Sequence, residues 1–255
     1  QDELRRCISE GFEGFELYFQ PIYNTDDDSL SGAEALIRWN SRKYGFIGPN
    51  TFIPLLEDSA LIIPLGRWII NTAAKACNRW ITSIPDFVMH INLSFVQIVK
   101  SNIVKDVLEN IERYSAANNH YVFEITETIE MDQIPAVQNV FKEFVKNEFR
   151  FAIDDFGTGY SNYGYMRDRT FDIVKVDRSF VTDIDKLKDN YLMVSFIIKM
   201  AHEMGLHVCI EGVETKEELS CVKRLGADYI QGYYYGKPVC LQDFEEQHLK
   251  RFVLG

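Results

Sequence analysis

From residue 87 onward the chain repeats one pattern: a short apolar run of strand character ends on a polar residue and a helical stretch follows. The strand-like runs 87–93, 121–125, 149–153, 173–176, 207–210 and 229–230 carry or run into Asn92, Glu124, Asp154, Lys175, Glu211 and Gln231. Helical patterns fill 103–118, 134–147, 189–204 and 216–225. Successive strand ends lie about 20 to 36 residues apart, room for one crossover helix and its loops. Upstream, strands are predicted over 15–22 and 30–39 and helices over 49–57 and 63–84, behind a short near-helical segment, 2–14. Close to eight strands in this order predict an α/β fold, a parallel βα barrel whose site is assembled from polar groups at the C-terminal strand ends. The alternative is an open doubly wound sheet, which normally gathers its ligand at one switch point with a glycine-rich phosphate loop. No GxGxxG follows the first strand.

The stretch 149–161, FRFAIDDFGTGYS, concentrates the pattern. Adjacent acids on a strand point to opposite faces, so one can ligate a metal from the barrel interior while the other reaches a neighbouring ion. Gly157 and Gly159 permit a tight, mobile loop after them. Taken alone, Asp154-Asp155 before glycines is equally an Asx turn. Glu34, among Ala33, Ala35, Leu36 and Ile37, needs a partner because an unpaired buried carboxylate is costly; the choices are an arginine or a metal. Each strand-end residue also has a bland role, with Asn92 and Ser94 as a helix cap, Lys175 paired with Asp177, and turns at Glu211-Gly212 and Gln231-Gly232. What points to a site is the recurrence of acids, an amide and a lysine at one mouth. Acids converging there without a cation repel, and oxygen donors without histidine or cysteine favour Mg²⁺ or Mn²⁺.

Composition narrows the classes. A chain of 255 residues with 46% hydrophobic content fills one large core. A net charge of −11 argues against binding polymeric nucleic acid through a basic face, while a small phosphate ligand stays compatible if metals supply positive charge. The five cysteines are scattered without a CxxC pair and read as free thiols of a reducing compartment, the cytoplasm. The five histidines form no HExxH, so zinc has little support. No apolar run is long enough to span a bilayer, and no signal peptide is evident. The chain starts at Gln1 rather than Met and is expected to be a piece of a longer protein, with 1–14 the tail of an upstream linker helix and 15–255 the domain itself.

The joint set is specific. Gln20-Pro21, Glu34-Ala35-Leu36, Asn92-Leu93-Ser94, Glu124-Ile125-Thr126-Glu127, the Asp154 to Ser161 run, Lys175-Val176-Asp177, Glu211-Gly212-Val213-Glu214-Thr215 and Gln231-Gly232-Tyr233 resemble the EAL domain family, in order and over nearly the whole chain. The resemblance implies a modified TIM (βα)8 barrel with an antiparallel first strand. It further implies hydrolysis of cyclic di-GMP to linear pGpG with two divalent metals, in bacterial second-messenger signalling. By the same resemblance Glu34, Asn92, Glu124 and Asp154 hold the first metal, Asp154 bridges to the second, and Asp155 is a further ligand there. Lys175 holds the attacking water, Glu211 serves the second metal or acts as general base, and Gln231 orients water and ligands. Gln20, Arg38 and Asp177 contact substrate, and Glu127 anchors the loop after the aspartate pair. A homodimer and an upstream sensor or regulatory domain, with a membrane anchor outside this stretch, complete what the family leads one to expect. Ser41-Arg42 stands where the family commonly has His-Pro, and no matched ligand is lost.

Two other readings stay open. One is a module that binds cyclic di-GMP without hydrolysing it, or an interaction scaffold. The other is a different Mg²⁺-dependent barrel enzyme acting on a carbonyl acid with Lys175 as acid or base, supported only by fold analogy.

Overall fold

The computed structural model describes residues 1–126, 135–158 and 170–250. The chain opens with α1 (Asp2–Ser9), β1 (Phe15–Asn24), β2 (Leu30–Ser41), β3 (Gly45–Ile47), α2 (Pro49–Asp58) and α3 (Ile62–Trp80). Strands and helices then alternate through β4 (Val88–Asn92), α4 (Phe95–Lys100), α5 (Ile103–Ile111), β5 (Tyr121–Thr126), α6 (Pro135–Lys146) and β6 (Arg150–Phe156). They continue through β7 (Ile173–Val176), α7 (Lys188–Glu203), β8 (His207–Glu211), α8 (Lys216–Leu225) and β9 (Tyr229–Gln231), before β10 (Val239–Cys240) and α9 (Leu241–Phe244).

Strand β2 pairs parallel with β4, and parallel pairing continues in sequence order through β9. Strand β1 pairs antiparallel with both β2 and β9, which closes eight strands into a barrel. The expected antiparallel first strand is thus present, and the open sheet is excluded. Strands β3 and β10 attach antiparallel to the outside of β2 and β1.

Two cores result, because side chains on a closed sheet alternate between lumen and helix-facing surface. The larger lies between sheet and helices and includes Trp80, Phe19 and Phe244 on one side and Phe123, Phe144 and Phe151 on another. Leu4 and Cys7 of α1 are buried in it, so that helix packs on the barrel. The smaller is a plug of Ile22, Val122, Ala152, Ile173 and Cys209. Four of these sit two residues before Glu124, Asp154, Lys175 and Glu211, on the same strand face and one pleat deeper. They seal the lumen below the polar layer.

Helix ends follow local chemistry. Ser94 caps α4 in a capping box with Gln97, and Thr215 caps α8 with Glu218. Helix α5 stops at Ile111, short of the predicted 118. Beyond it the Ser115 N–H donates to Asn78 Oδ1 on α3, and 118–120 form a separate turn that leads into β5. Among the described residues no helix is long and apolar enough to cross a membrane.

Candidate active site

Lys175 is fully buried at the centre of the C-terminal mouth. Its Nζ lies 2.7 Å from Glu124 Oε2, 2.7 Å from Glu211 Oε1, 3.2 Å from Asp154 Oδ1 and 3.3 Å from Glu34 Oε2. Each partner comes from a different strand, so the barrel itself sets the cluster. Glu34 is fixed by two amides as well: Asn92 Nδ2 donates to its Oε1 at 2.6 Å and Gln231 Nε2 to its Oε2 at 2.7 Å. Gln231 also donates to Gln20 Oε1 at 3.2 Å. The partner of Glu34 is therefore a lysine with two amides, and the arginine alternative is excluded. Asn92 is bonded to Glu34 and does not share in the helix cap, which Ser94 supplies. The Ser94 hydroxyl donates to Glu57 Oε1 at 2.6 Å.

The aspartate pair is brought to one side by a local irregularity. The β6–β7 register shifts between Ile153 and Phe156, and Asp155 adopts a left-handed backbone with φ of 54°. Simple alternation would have sent its carboxylate to the opposite face. Instead Asp154, Asp155 and Glu211 bring one oxygen each to within 4.8 Å of one another. Gly157 follows at φ 98°, with the Phe180 ring so near that a Cβ would sit 2.7 Å from it.

Two cavities open from this cluster. One of about 1050 Å³ is lined by Glu34, Arg38, Asn92, Glu124, Asp154 and Asp155 among others. One of about 300 Å³ runs past Gln20, Asp155, Lys175, Asp177, Glu211 and Tyr233. Arg38 is half-buried over the Tyr18 ring at 5.6 Å, and its Nη1 donates to the Ile37 carbonyl. Asp177 lies at the rim of the smaller cavity and accepts a hydrogen bond from the Ser179 N–H. Glu127 lies outside the described residues.

The electrostatics are those of a site short of positive charge. Burial works against the ammonium of Lys175, but Asp154, Glu124, Glu211 and Glu34 outweigh it and hold its pKa well above the usual value. Burial would raise Glu34; Lys175, Gln231 and Asn92 reverse this and bring it to about 2. Glu124 goes the other way, raised well above the carboxylate range by burial and by Glu34, because it has fewer donors than Glu34. Glu211 is pushed up to about 8 by burial, with Asp154 and Glu34 adding to the shift against Lys175. Burial and Asp154 raise Asp155.

Comparison with known proteins assigns the family and the fold. The EAL domain family model matches residues 1–238. The chain belongs to the EAL domain family. This EAL domain is 32% identical over 95% of its length to the probable cyclic di-GMP phosphodiesterase PdeG of Escherichia coli. It spans 48% of PdeG's length and less than two thirds of each of seven other curated relatives. The structure of the EAL enzyme Bd1971 with cAMP and cyclic-di-GMP bound superposes with a TM-score of 0.87 at 34% identity, covering 95% of this chain and 68% of that one. The PaMucR phosphodiesterase in complex with c-di-GMP gives 0.87 at 29% identity, covering 94% and 99%.

The donor set suits hard cations. Five carboxylates, Glu34, Glu124, Asp154, Asp155 and Glu211, face one lysine, and all potential ligand atoms are oxygen. Asp154 Oδ1 and Gln231 Oε1 are buried without a hydrogen bond. The former lies within reach of Lys175 but outside hydrogen-bonding geometry, which leaves it a lone pair to offer. One polar residue of the EAL lumen was not singled out in the sequence. His90, two residues before Asn92 on β4 and thus on the same face, is buried with Nδ1 2.7 Å from Glu124 Oε1. Strand alternation alone would have found it.

Proposed function

We propose that this EAL domain hydrolyses one phosphodiester bond of cyclic di-GMP to give linear pGpG, with two divalent cations, Mg²⁺ or Mn²⁺. The observation that carries this reading is the convergence of Glu34, Glu124, Asp154 and Glu211 from four strands on Lys175, with Asp155 folded toward them. Glu34, Asn92, Glu124 and Asp154 would hold one cation, and Asp154, Asp155 and Glu211 the other. Bound there, the cations supply Lewis acidity toward the phosphodiester oxygens and acidify water. Lys175 keeps its proton against burial, so it acts as a hydrogen-bond donor to the attacking water or the developing charge. Glu211 would either complete the ligands of the second cation or, left uncoordinated, accept a proton from water. Gln231 has a free Oε1 with which to orient water. Gln20, Arg38 and Asp177 line the cavity walls where the nucleotide would lie. The names of PdeG and PaMucR, and the cyclic-di-GMP in the Bd1971 structure, support the substrate.

The domain would work in the cytoplasm as the output of a longer protein with an upstream sensor, α1 being the end of the linker. Self-association is supported by Leu192, Met193 and Phe196, exposed together on α7 and preceded by exposed Leu187. Phe196→Ser should shift a dimer toward monomer in sedimentation, and an unchanged distribution would remove α7 from the contact. Function is tested by incubating the purified chain with cyclic di-GMP and Mn²⁺ and separating products by chromatography, with a chelator control. Metal-dependent pGpG supports the enzyme. Binding without product would make the domain a receptor.

A further inference from the structure

His90 breaks the pattern of the lumen. On β5, β6, β7 and β8 the residue two positions before the site residue is apolar: Val122, Ala152, Ile173 and Cys209. On β4 that position, two before Asn92, holds a histidine whose neighbours in register are Glu34 on β2 and Val122 on β5. The residue is 4% exposed, and an imidazole so placed is costly unless its polar atoms are used. Its Nδ1 is used, at 2.7 Å from Glu124 Oε1. The other oxygen of the same carboxylate, Oε2, is the one that meets Lys175 at 2.7 Å. Glu124 is 1% exposed, so neighbouring protein groups set its orientation. Without the imidazole, rotation of the carboxyl group would exchange its two oxygens.

We propose that His90 is a positioning residue that holds Oε1 of Glu124, so that Oε2 alone is presented to the cation site. The inference rests on the reading of Glu124 as a cation ligand. A hydrogen bond to the non-ligating oxygen of a carboxylate fixes its direction and removes the orientational freedom that binding would otherwise have to quench. A histidine that merely filled the core would serve equally well replaced by any side chain of similar bulk.

The two short amides separate these roles, because asparagine places its terminal group at the position of Nδ1 and glutamine at that of Nε2. Mn²⁺ affinity is measured by calorimetry without substrate in the wild type, His90→Asn, His90→Gln and His90→Leu, with thermal melts of each apo protein. His90→Asn should bind Mn²⁺ close to wild type, while His90→Gln and His90→Leu lose about 10- to 100-fold. Excess Mn²⁺ should then restore turnover to His90→Gln. Equal affinity in all four proteins overturns the inference and leaves the phosphodiesterase reading intact. Equal loss in Asn and Gln, or failure of both to fold, assigns the imidazole to the core and overturns it too. A wild type that binds no Mn²⁺ is a separate result, which removes the two-cation reading and this inference with it.

Discussion

At the C-terminal mouth of the barrel Glu34, Glu124, Asp154 and Glu211 share Lys175, with Asp155 beside them, whereas at the N-terminal mouth the half-buried Asp228 and Asp172 have found their partners. Asp228, just before β9, is hydrogen-bonded to His202 Nε2 at 2.8 Å and His207 Nδ1 at 3.2 Å and accepts from the Val208 N–H at 2.7 Å. Asp172, just before β7, accepts from the Phe151 N–H at 2.9 Å. Burial would raise Asp228, but His207, His202 and the Val208 amide bring it to about 2. The same residue types thus do opposite things at the two ends. The lower mouth uses its acids to join α7, β8 and β9; the upper one leaves them in excess, to be balanced by retained protons or by added positive charge.

The sharpest way to break that contrast is at Glu34. Glu34→Ala removes one of the surplus acids and should abolish turnover, because no other side chain is placed to replace its oxygens. The fold should survive, with unpaired Asn92 and Gln231 costing about 1–3 kcal/mol in a urea titration. Retained turnover would show that the first cation is not held as proposed.

Lys175→Met tests the balance from the other side. Turnover should fall by about 10²- to 10³-fold, the typical loss on removing one electrostatic donor. Stability in chelator should fall by about 3–5 kcal/mol, since the carboxylates lose their buried cation, and Mn²⁺ should return part of it. Equal melting of variant and wild type in chelator would mean that the acids are already neutral, and the shortage of charge argued above would be wrong.

At the lower mouth Asp228→Ala should cost about 1–3 kcal/mol by leaving the Val208 amide unpaired, with kcat unchanged. A parallel loss of kcat would show that the two ends are coupled through the strands they share.

Most of the architecture was legible because its signal is local and repeated. All eight barrel strands begin and end within about three residues of their expected positions, since a buried parallel strand is a short apolar run. What failed to show depends on contacts distant in sequence. Helix α4 has only six residues, too few for a periodic pattern, and its capping box is what defines it. Helix α5 stops at Ile111, and Asn78 captures the Ser115 amide four residues on. Strand ends told which residues reach the mouth, but not that Lys175 lies in the midst of four acids. Nor does the pair Asp154-Asp155 announce the register shift that turns both toward one cavity. His90 is legible from its strand face, two residues before Asn92, and not from any metal-ligand spacing among the histidines.

The smallest expected effect sharpens the comparison with the least disturbance. His207 has its pKa raised above 6.5, first by its hydrogen bond to Asp228, against partial burial. A group whose folded pKa lies above its unfolded value stabilises fully below the unfolded pKa, and the stabilisation fades as pH rises through the folded one. The His207–Asp228 pair should therefore strengthen the lower mouth at pH 5 to 6 and lose its contribution toward pH 8. The side chain of His207 is 56% exposed, so solvent screening keeps the effect to a few tenths of a kcal/mol. The check is the difference in urea stability between wild type and His207→Gln across that range, which cancels the titration of the upper site. A difference that grows with pH has the wrong sign for this pair. One that vanishes in 1 M salt yet persists in 0.1 M salt is what an exposed ion pair gives, and would place His207 outside the hydrogen-bonded core of the lower mouth, leaving Val208 and His202 to hold Asp228.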